Sequence, residues 1–443
     1  MSHIHKDFSW LGAIPTHWQV LNLRQILTVC SEKNHPDMPL LSVVREKGVI
    51  VRNIDDKNHN YVPDDLSNYK LVKRGQFAVN KMKAWQGSYG VSQHDGIVSP
   101  AYFVFNINHD MNHDFFNKAI RSKIYVNYFG QASDGIRVGQ WDLSMKRLRD
   151  IPFCLPPREE QEQIVRFLDW KVSAIDKLIA KHEKRIALLD ELKGTLIDKT
   201  VILGIKNSEA TRSKKARGEI PCPKHWKIQR MRESFTFRKG LTITKDNLEE
   251  IGIPVINYGQ IHAKDNSGIG LNDNLLRYVN ESYLESNPVA LVEHGDFIFA
   301  DTSEDVAGCG NCVYVDRQET IFAGYHSIIA HPTTAEANHK YLAYLFQSAT
   351  WRDQLRKKVN GVKVYSITQK LLRDTFILLP PLDEQNSIVA QLDSICQKIR
   401  TWTDKLNLKI RYLQDLKPRL ISDAVTGKID VRSIKLPNFA KEE

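Results

Sequence analysis

The sequence predicts an α+β chain with a pseudo-two-fold internal repeat: two similar modules joined by two long helices forming an antiparallel coiled coil. Three observations lead there. The first is the stretch from Leu155 to Thr200, where apolar residues recur at alternating steps of three and four: Val165, Leu168, Val172, Ile175, Ile179, Ile186, Leu189 and Leu196. His182 and Lys193 fill the two remaining positions of this a/d seam, which is sustained long enough to argue for a coiled coil rather than a surface helix. The second is a copy of that stretch beginning at Leu379. An offset of 224 residues carries Pro156-Pro157 onto Pro380-Pro381, Glu160-Gln161 onto Glu384-Gln385 and Leu196-Ile197 onto Leu420-Ile421 without a gap. The copied seam is Val389, Leu392, Cys396, Ile399, Thr403, Leu406, Ile410, Leu413, Lys417 and Leu420. The third is the character of the remaining chain, in which short β-like runs and helical stretches mix without regular β-α-β alternation.

Each part follows in chain order. Residues 1–154 form the first module. It opens with Ile14-Pro15-Thr16-His17-Trp18 and continues through the runs Leu40–Val44, Gly48–Val51, Gln76–Asn80 and Ala101–Phe105, whose alternation and flanking turns favour strands. One amphipathic helix is expected over His113–Phe129. The central long helix takes 155–200, with Glu159, Glu160 and Glu162 where a helix N-terminus favours negative charge. At ~1.5 Å per residue it makes a rod of roughly 60–65 Å. Its wet seam requires a partner, which the copied helix over 379–425 supplies. Residues 201–218 read as a solvated linker with a basic cluster, Arg212, Lys214, Lys215 and Arg217. The second module runs over 219–378 and echoes the first: Ile220-Pro221 and His225-Trp226 at its opening, Gly295-Asp296-Phe297 for Gly75-Gln76-Phe77, and Gly361-Val362-Lys363-Val364 for Gly135-Ile136-Arg137-Val138. Residues 426–443 form a tail. Between the echoes the modules diverge: the scaffold repeats and the loops do not.

The 443 residues allow two or three domains, and 42% hydrophobic with 26% charged residues is an ordinary globular composition. No apolar run approaches the ~18 residues of a membrane span. The start lacks a secretory apolar region, and the six cysteines are scattered, so reduced thiols and a cytoplasmic location are expected. The formal net charge of +10 points to an anionic partner, nucleic acid first.

With these motifs in place, the chain resembles the specificity subunits of type I restriction–modification systems. The resemblance covers nearly the whole chain. It rests on the paired Leu-Pro-Pro-x-x-Glu-Gln-x-x-Ile-Val helices at 155 and 379 and on the twin Ile-Pro…His-Trp openings. It rests also on the segments Val79–Ser88, Ile253–Gly259 and Phe299–Asp305. It implies two target-recognition domains, each reading one half of a bipartite asymmetric site in double-stranded DNA, and long helices that space them and dock two methylation subunits. It further implies restriction subunits in the full complex, a chain that is not itself catalytic and carries no cofactor, and S-adenosylmethionine, ATP and Mg in the partner subunits.

The candidate DNA contacts fall in matched places. Lys81, Lys83, Trp85, Gln86, Ser88 and Tyr89 interleave cations, an aromatic and an amide beside Gly87: lysines suit phosphates, and Gln86 suits adenine. The matched loop of the second module, Asp301–Asp305 with Thr302 and Ser303, is acidic, so the modules are expected to read different bases. Arg45, Lys47 and Arg52 flank a predicted hairpin, and Tyr258, Gln260 and His262 fall at the comparable place in the second module. Arg137 and Gln140 follow one repeated glycine; Lys363 and Tyr365 follow the other. Arg352, Arg356, Lys357 and Lys358 form a basic helical cluster suited to phosphates. Trp170, Lys171, Trp402 and Arg411 lie off the seam and are candidates for a docked protein. Cys309-x-x-Cys312 has no second pair of ligands and reads as two buried thiols rather than zinc; His3 and His5 read as a free N-terminus. No dinucleotide-type glycine loop, amino-methyltransferase motif or GxxxxGK[ST] is present. Two other readings stay open on residues alone: a coiled-coil adaptor that binds no DNA, and a self-sufficient methyltransferase or nuclease with unrecognised motifs.

Overall fold

The structure is a computed structural model that describes residues 14–52, 62–108, 110–137, 140–205, 210–212, 220–359, 361 and 363–437. His3, His5, Lys214, Lys215, Arg217 and Val362 lie outside the described residues, as do the side chains of Arg137, Gln140 and Arg212. The chain divides into two compact units, Met1–His182 with Asn407–Glu443, and Glu183–Leu406.

In the first unit a four-stranded antiparallel sheet runs in the order Leu27–Cys30, Tyr102–Ile107, Phe77–Asn80, Tyr89–Val91. Its central strand is covered on both faces, and the period of two decides which residue goes where. Phe77 and Val79 point into the cluster that holds Phe115 and Phe116, while Ala78 points into a smaller cluster with Leu41, Val43 and Val98. The small cluster is capped by two ribbons, Leu41–Val44 with Gly48–Val51 and Lys70–Val72 with Gly96–Val98. The single helix expected over 113–129 is two, His113–Ile120 and Lys123–Gln131. Ser122 takes an extended backbone between them (ψ 155°) and starts the second as its N-cap. A hairpin, Ser133–Arg137 with Gln140–Leu143, and the helix Met145–Asp150 follow. The strand Pro152–Leu155 then pairs with Gln19–Asn22 and leads into the long helix Arg158–Leu203.

The second unit repeats this order. Its sheet runs Phe235–Lys239, Ser327–Pro332, Phe297–Ala300, Cys312–Tyr314. Phe297 and Phe299 face the large core with Phe346 and Trp351, and Ile298 and Ala300 face the opposite side. What covers that opposite side differs. A five-stranded sheet stands where the first unit has two ribbons, and it contains one parallel pair, Ile253–Ile256 with Ile321–Ala323. Helices His339–Gln347 and Ala349–Arg356 follow, then Phe376–Leu379 pairs with Lys227–Arg230 and leads into the second long helix, Leu382–Val425.

The heptad seam is visible as burial. All twenty seam positions of the two helices are buried or half-buried, with exposed residues between them. Within the first unit the helices of the coil run antiparallel: Leu168, Val172, Pro418 and Ile421 line one hollow, Gln163 donates to the Ile434 carbonyl beyond the second helix, and Asp176 accepts from Lys417 at 2.8 Å. Within the second unit Lys193 lies by Cys396, and Ile197 and Val201 pack with Ile388 and Leu392. Each long helix is followed by a left-handed glycine, Gly204 (φ 73°) and Gly427 (φ 77°), as helix ends favour. A Cβ at Gly204 would meet Trp226, and one at Gly427 would meet Trp18 and Pro15.

The repeated motif residues meet each other. Gln161 accepts from the backbone N–H of Asn112 and donates to the Pro156 carbonyl; Gln385 does the same with Asn338 and Pro380. Glu160 pairs with His17 at 2.7 Å, and Glu384 with His225 at 3.0 Å. Lys118 reaches Asp169, and Lys340 reaches Asp393. Thus Glu-Gln and His-Trp recur in the sequence because they bolt each module onto the start of its long helix.

Candidate nucleic-acid interface

In the first unit the loop after the strand Phe77–Asn80 is built by local bonds. Asn80 accepts from the Met82 N–H at 3.2 Å, a 3-10 turn spans Ala84–Gln86, and Gly87 ends it at φ 93°, where a side chain would be strained. Lys83 is exposed, while Lys81, Trp85 and Gln86 are half-buried. Lys81 pairs with Asp142 at 3.0 Å, and its carbonyl accepts from the Leu143 N–H. The Trp85 ring lies 5.0 Å from that of Trp141, a partner the sequence did not single out. Two residues expected at the surface belong to the core instead. Ser88 is 2% and Tyr89 0% exposed, and the Tyr89 ring stacks on Phe129 at 4.1 Å.

Arg45 and Lys47 stand exposed in the turn of the Leu41–Val51 hairpin. That turn is held from below by Arg121, whose guanidinium donates to the carbonyls of Arg45, Glu46 and Tyr89. Both basic loops are therefore anchored on one strand, Tyr89–Val91. Arg52 is half-buried and engaged. The backbones of Arg137 and Gln140 pair across their hairpin.

In the second unit the matched loop begins at Asp301, whose carbonyl accepts from the Ile367 N–H at 2.7 Å, the counterpart of Lys81 and Leu143. Thr302 and Ser303 pair with Ser366 and Tyr365. Ser303 is 3% exposed and its hydroxyl donates to the Asp305 carbonyl, so it is a scaffold residue. Tyr258 and Gln260 lie on the short helix Tyr258–Ile261, where Gln260 accepts from the Asn257 N–H. His262 is committed at both ring nitrogens: Nε2 donates to the Thr302 carbonyl at 2.8 Å, and Nδ1 accepts from Asn311 at 3.1 Å. Asn311 accepts in turn from Arg352, which also donates to the Phe346 carbonyl and to Gln347. Arg352 and His262 are thus struts rather than free readers. Tyr258, His262, Glu304, Asp305 and Asn311 line an open groove of about 580 Å³.

Of the basic cluster, Arg356 is also partly spent, donating to the Ala307 carbonyl and pairing with Asp353. Lys357, Lys358 and Lys363 are exposed and Tyr365 half-buried. Cys309 and Cys312 are buried free thiols, and burial pushes Cys312 up to about 12. Among the described residues no three His, Cys, Asp or Glu side chains are grouped to hold a metal, and no helix is long and apolar enough to cross a membrane. Trp170, off the seam and expected as an exposed position, is half-buried, packs on Phe167 and carries Lys171 3.7 Å over its ring. Trp402 is 54% exposed. In the first unit Leu408, Tyr412 and Leu416 form an exposed i, i+4, i+8 row that sequence reading missed.

Residues 223–411 match the sequence model of the type I restriction modification DNA specificity domain. Over these residues the chain carries the DNA specificity domain of type I restriction–modification systems. The MjaVIII specificity subunit of Methanocaldococcus jannaschii is 24% identical over 293 residues, which cover 65% of this chain and 64% of that protein. A putative type I restriction enzyme specificity subunit of the same organism, MjaX, is 22% identical over 96% of both chains. A chain from a solved type I restriction–modification assembly shares the fold at a TM-score of 0.66, with 16% identity over 94% of this chain and all of its own. In this chain the matched region takes in the acidic loop, the groove and the first two-thirds of the second long helix.

Proposed function

We propose that this chain reads a bipartite, asymmetric site in double-stranded DNA, each unit acting as the target-recognition domain for one half-site and the paired long helices setting the gap. The observation that carries this is the contrast at one matched position. The same sheet strand presents Lys81, Lys83 and Gln86 in one unit and Asp301, Glu304 and Asp305 in the other. Donors suit phosphates, guanine and adenine, while carboxylates accept from cytosine. A duplicated scaffold with opposite loop chemistry is what two different half-sites require, much as spacing of paired modules sets half-site separation elsewhere. Arg45, Lys47, Lys83 and Gln86 are the contacts proposed for the first half-site; Thr302, Glu304 and Asp305, with Lys357, Lys358 and Lys363 on phosphates, are proposed for the second.

The chain acts by recognition alone. Methyl transfer and its S-adenosylmethionine belong to two methylation subunits, which dock on the exposed helix faces around Trp402 and Tyr412. Restriction subunits with ATP and Mg complete the assembly. The test is methylation mapping of DNA from cells that carry this chain with a methylation subunit, against cells with the methylation subunit alone. A split motif with a fixed gap, present only with this chain, is expected. An absent motif, with purified complex showing no preference among DNA sequences, would favour the adaptor reading.

A further inference from the structure

Three loops of the second unit converge at one end of its sheets, and the residue where they meet was not a candidate from sequence. Asn257 and Tyr258 follow the strand Ile253–Ile256, Asp301 follows Phe297–Ala300, and Gly324-Tyr325-His326 follow Ile321–Ala323. The loops are tied by backbone bonds. Tyr325 donates to the Asn257 side chain at 3.2 Å, Tyr258 N–H donates to the Tyr325 carbonyl, and Asp301 N–H donates to the His326 carbonyl at 3.1 Å. Gly324 passes so close to Asn257 that a Cβ there would lie 1.8 Å from its Oδ1.

His326 sits at φ 54°, the left-handed region that non-glycine residues rarely occupy. Strain of this sort persists where the surroundings over-determine it, and it gathers at functional positions. Here the surroundings hold a specific ring in a specific place. The His326 ring lies 5.6 Å from that of Tyr258 and 6.0 Å from that of Tyr325, and its Nδ1 is 3.1 Å from an Asp301 carboxylate oxygen. The side chain is nevertheless 58% exposed. Tyr258 also lines the neighbouring groove, so the ring cluster and the groove share a wall.

We propose that His326 is a specificity-determining residue of the second unit, its Nε2 accepting from the exocyclic amino group of an adenine or a cytosine in the second half-site. This rests on the DNA-recognition reading above. A carboxylate only accepts, so the bond to Asp301 places a hydrogen on Nδ1, and in that neutral tautomer Nε2 is the acceptor. On the adjoining groove Glu304, and the Asp305 carboxylate whose Oδ1 accepts from the Gly308 N–H, are acceptors too. In the major groove the amino groups of adenine and cytosine are the donors that such a surface matches, whereas guanine offers only acceptors. Tyr258 and Tyr325 pack against the ring and Asp301 holds its Nδ1, so little freedom is lost on contact.

The test uses the assembled complex and the duplex found by methylation mapping. Kd is measured for that duplex, for one with the first half-site scrambled and for one with the second scrambled. His326→Gly and His326→Asn both tolerate the left-handed backbone, so each variant is expected to melt within about 2 °C of the parent. Discrimination at the second half-site is expected to fall by roughly tenfold, the size of one base contact, while discrimination at the first is unchanged. The position relaxed in the second half-site names adenine or cytosine. Second-half discrimination kept by both variants, or an equal fall at both half-sites, overturns the assignment. A parent complex that discriminates against neither scrambled duplex fails the DNA-recognition reading itself.

Discussion

The two units are alike where they grip the long helices and unlike where their sheets end. Gln161 and Gln385, Glu160 and Glu384, and Lys118 and Lys340 make the same bonds at matched positions. Beyond the sheet, one unit has two short ribbons and a lysine loop where the other has a five-stranded sheet and a carboxylate loop. The difference teaches which residues answer to the helix and which to the ligand. A buried glutamine that satisfies two backbone groups has no tolerated replacement, since each orphaned group costs about 1–3 kcal/mol. A loop that emerges from a strand already fixed at both faces can change its charge without disturbing the core below it.

The sharpest break of this comparison lies in the seam. Leu189 is half-buried on the first long helix and lies outside the module cores. Leu189→Asp places a charge in the coil and leaves those cores untouched, so each unit should keep its own unfolding transition. If the helices act as the ruler, affinity for the bipartite site falls by two orders of magnitude or more, roughly to the non-specific level. Titration of the complex with the mapped duplex checks this, and retained site-specific binding would contradict the ruler.

A second comparison weighs the matched glutamines against each other. Gln161 is 1% and Gln385 0% exposed, but Gln385 also donates to the Glu336 carbonyl at 2.8 Å. Gln161→Leu should therefore destabilise the first unit by about 2–4 kcal/mol, and Gln385→Leu the second by about a kilocalorie more. Denaturant unfolding monitored in each unit decides it. Equal losses would mean that the third bond contributes nothing.

These pairs also show how far the sequence could be read. The seam was legible because a 3.5-residue period survives in one dimension, and the duplication because an offset of 224 carries whole motifs across. That Glu-Gln and His-Trp recur was legible too, but not that they touch, because 143 residues separate His17 from Glu160. The site was legible only as loops. Residue type put Tyr89 and Ser303 at the surface, where strand packing buries them, and gave His262 to bases when Thr302 and Asn311 had already claimed its nitrogens. Arg121, Trp141 and His326 left no local signal, since each acquires its role from partners on distant strands.

A smaller effect separates the units by pH. His339 opens its helix as His113 does in the first unit, but burial, then the neighbouring charges of His294 and His331, lower its pKa, with Asp296 opposing them. The folded ring resists a proton that the unfolded ring accepts near pH ~6.5. Its contribution to stability is therefore complete above that pH and is lost as pH falls through the lower folded value. The second unit should lose melting temperature between about pH 7 and pH 5, and His339→Gln should flatten that part of the profile. A profile unchanged by the substitution would assign the loss to other groups.

The smallest difference expected is at the matched ion pairs. Asp169 is 61% exposed and holds only Lys118, so Asp169→Ala should cost no more than about 0.2–1 kcal/mol. Asp393 holds Lys340 at a comparable exposure of 41%, yet it also accepts from the hydroxyl of Tyr344, a residue only 1% exposed, at 2.7 Å. Asp393→Ala leaves that hydroxyl without its acceptor and should cost about 1–3 kcal/mol. Tyr344→Phe in the Asp393→Ala background removes the orphaned hydroxyl and should recover most of the difference. If it recovers nothing, the larger loss comes from the ion pair itself, and the two matched pairs would be unequal for an electrostatic reason rather than a hydrogen-bonding one.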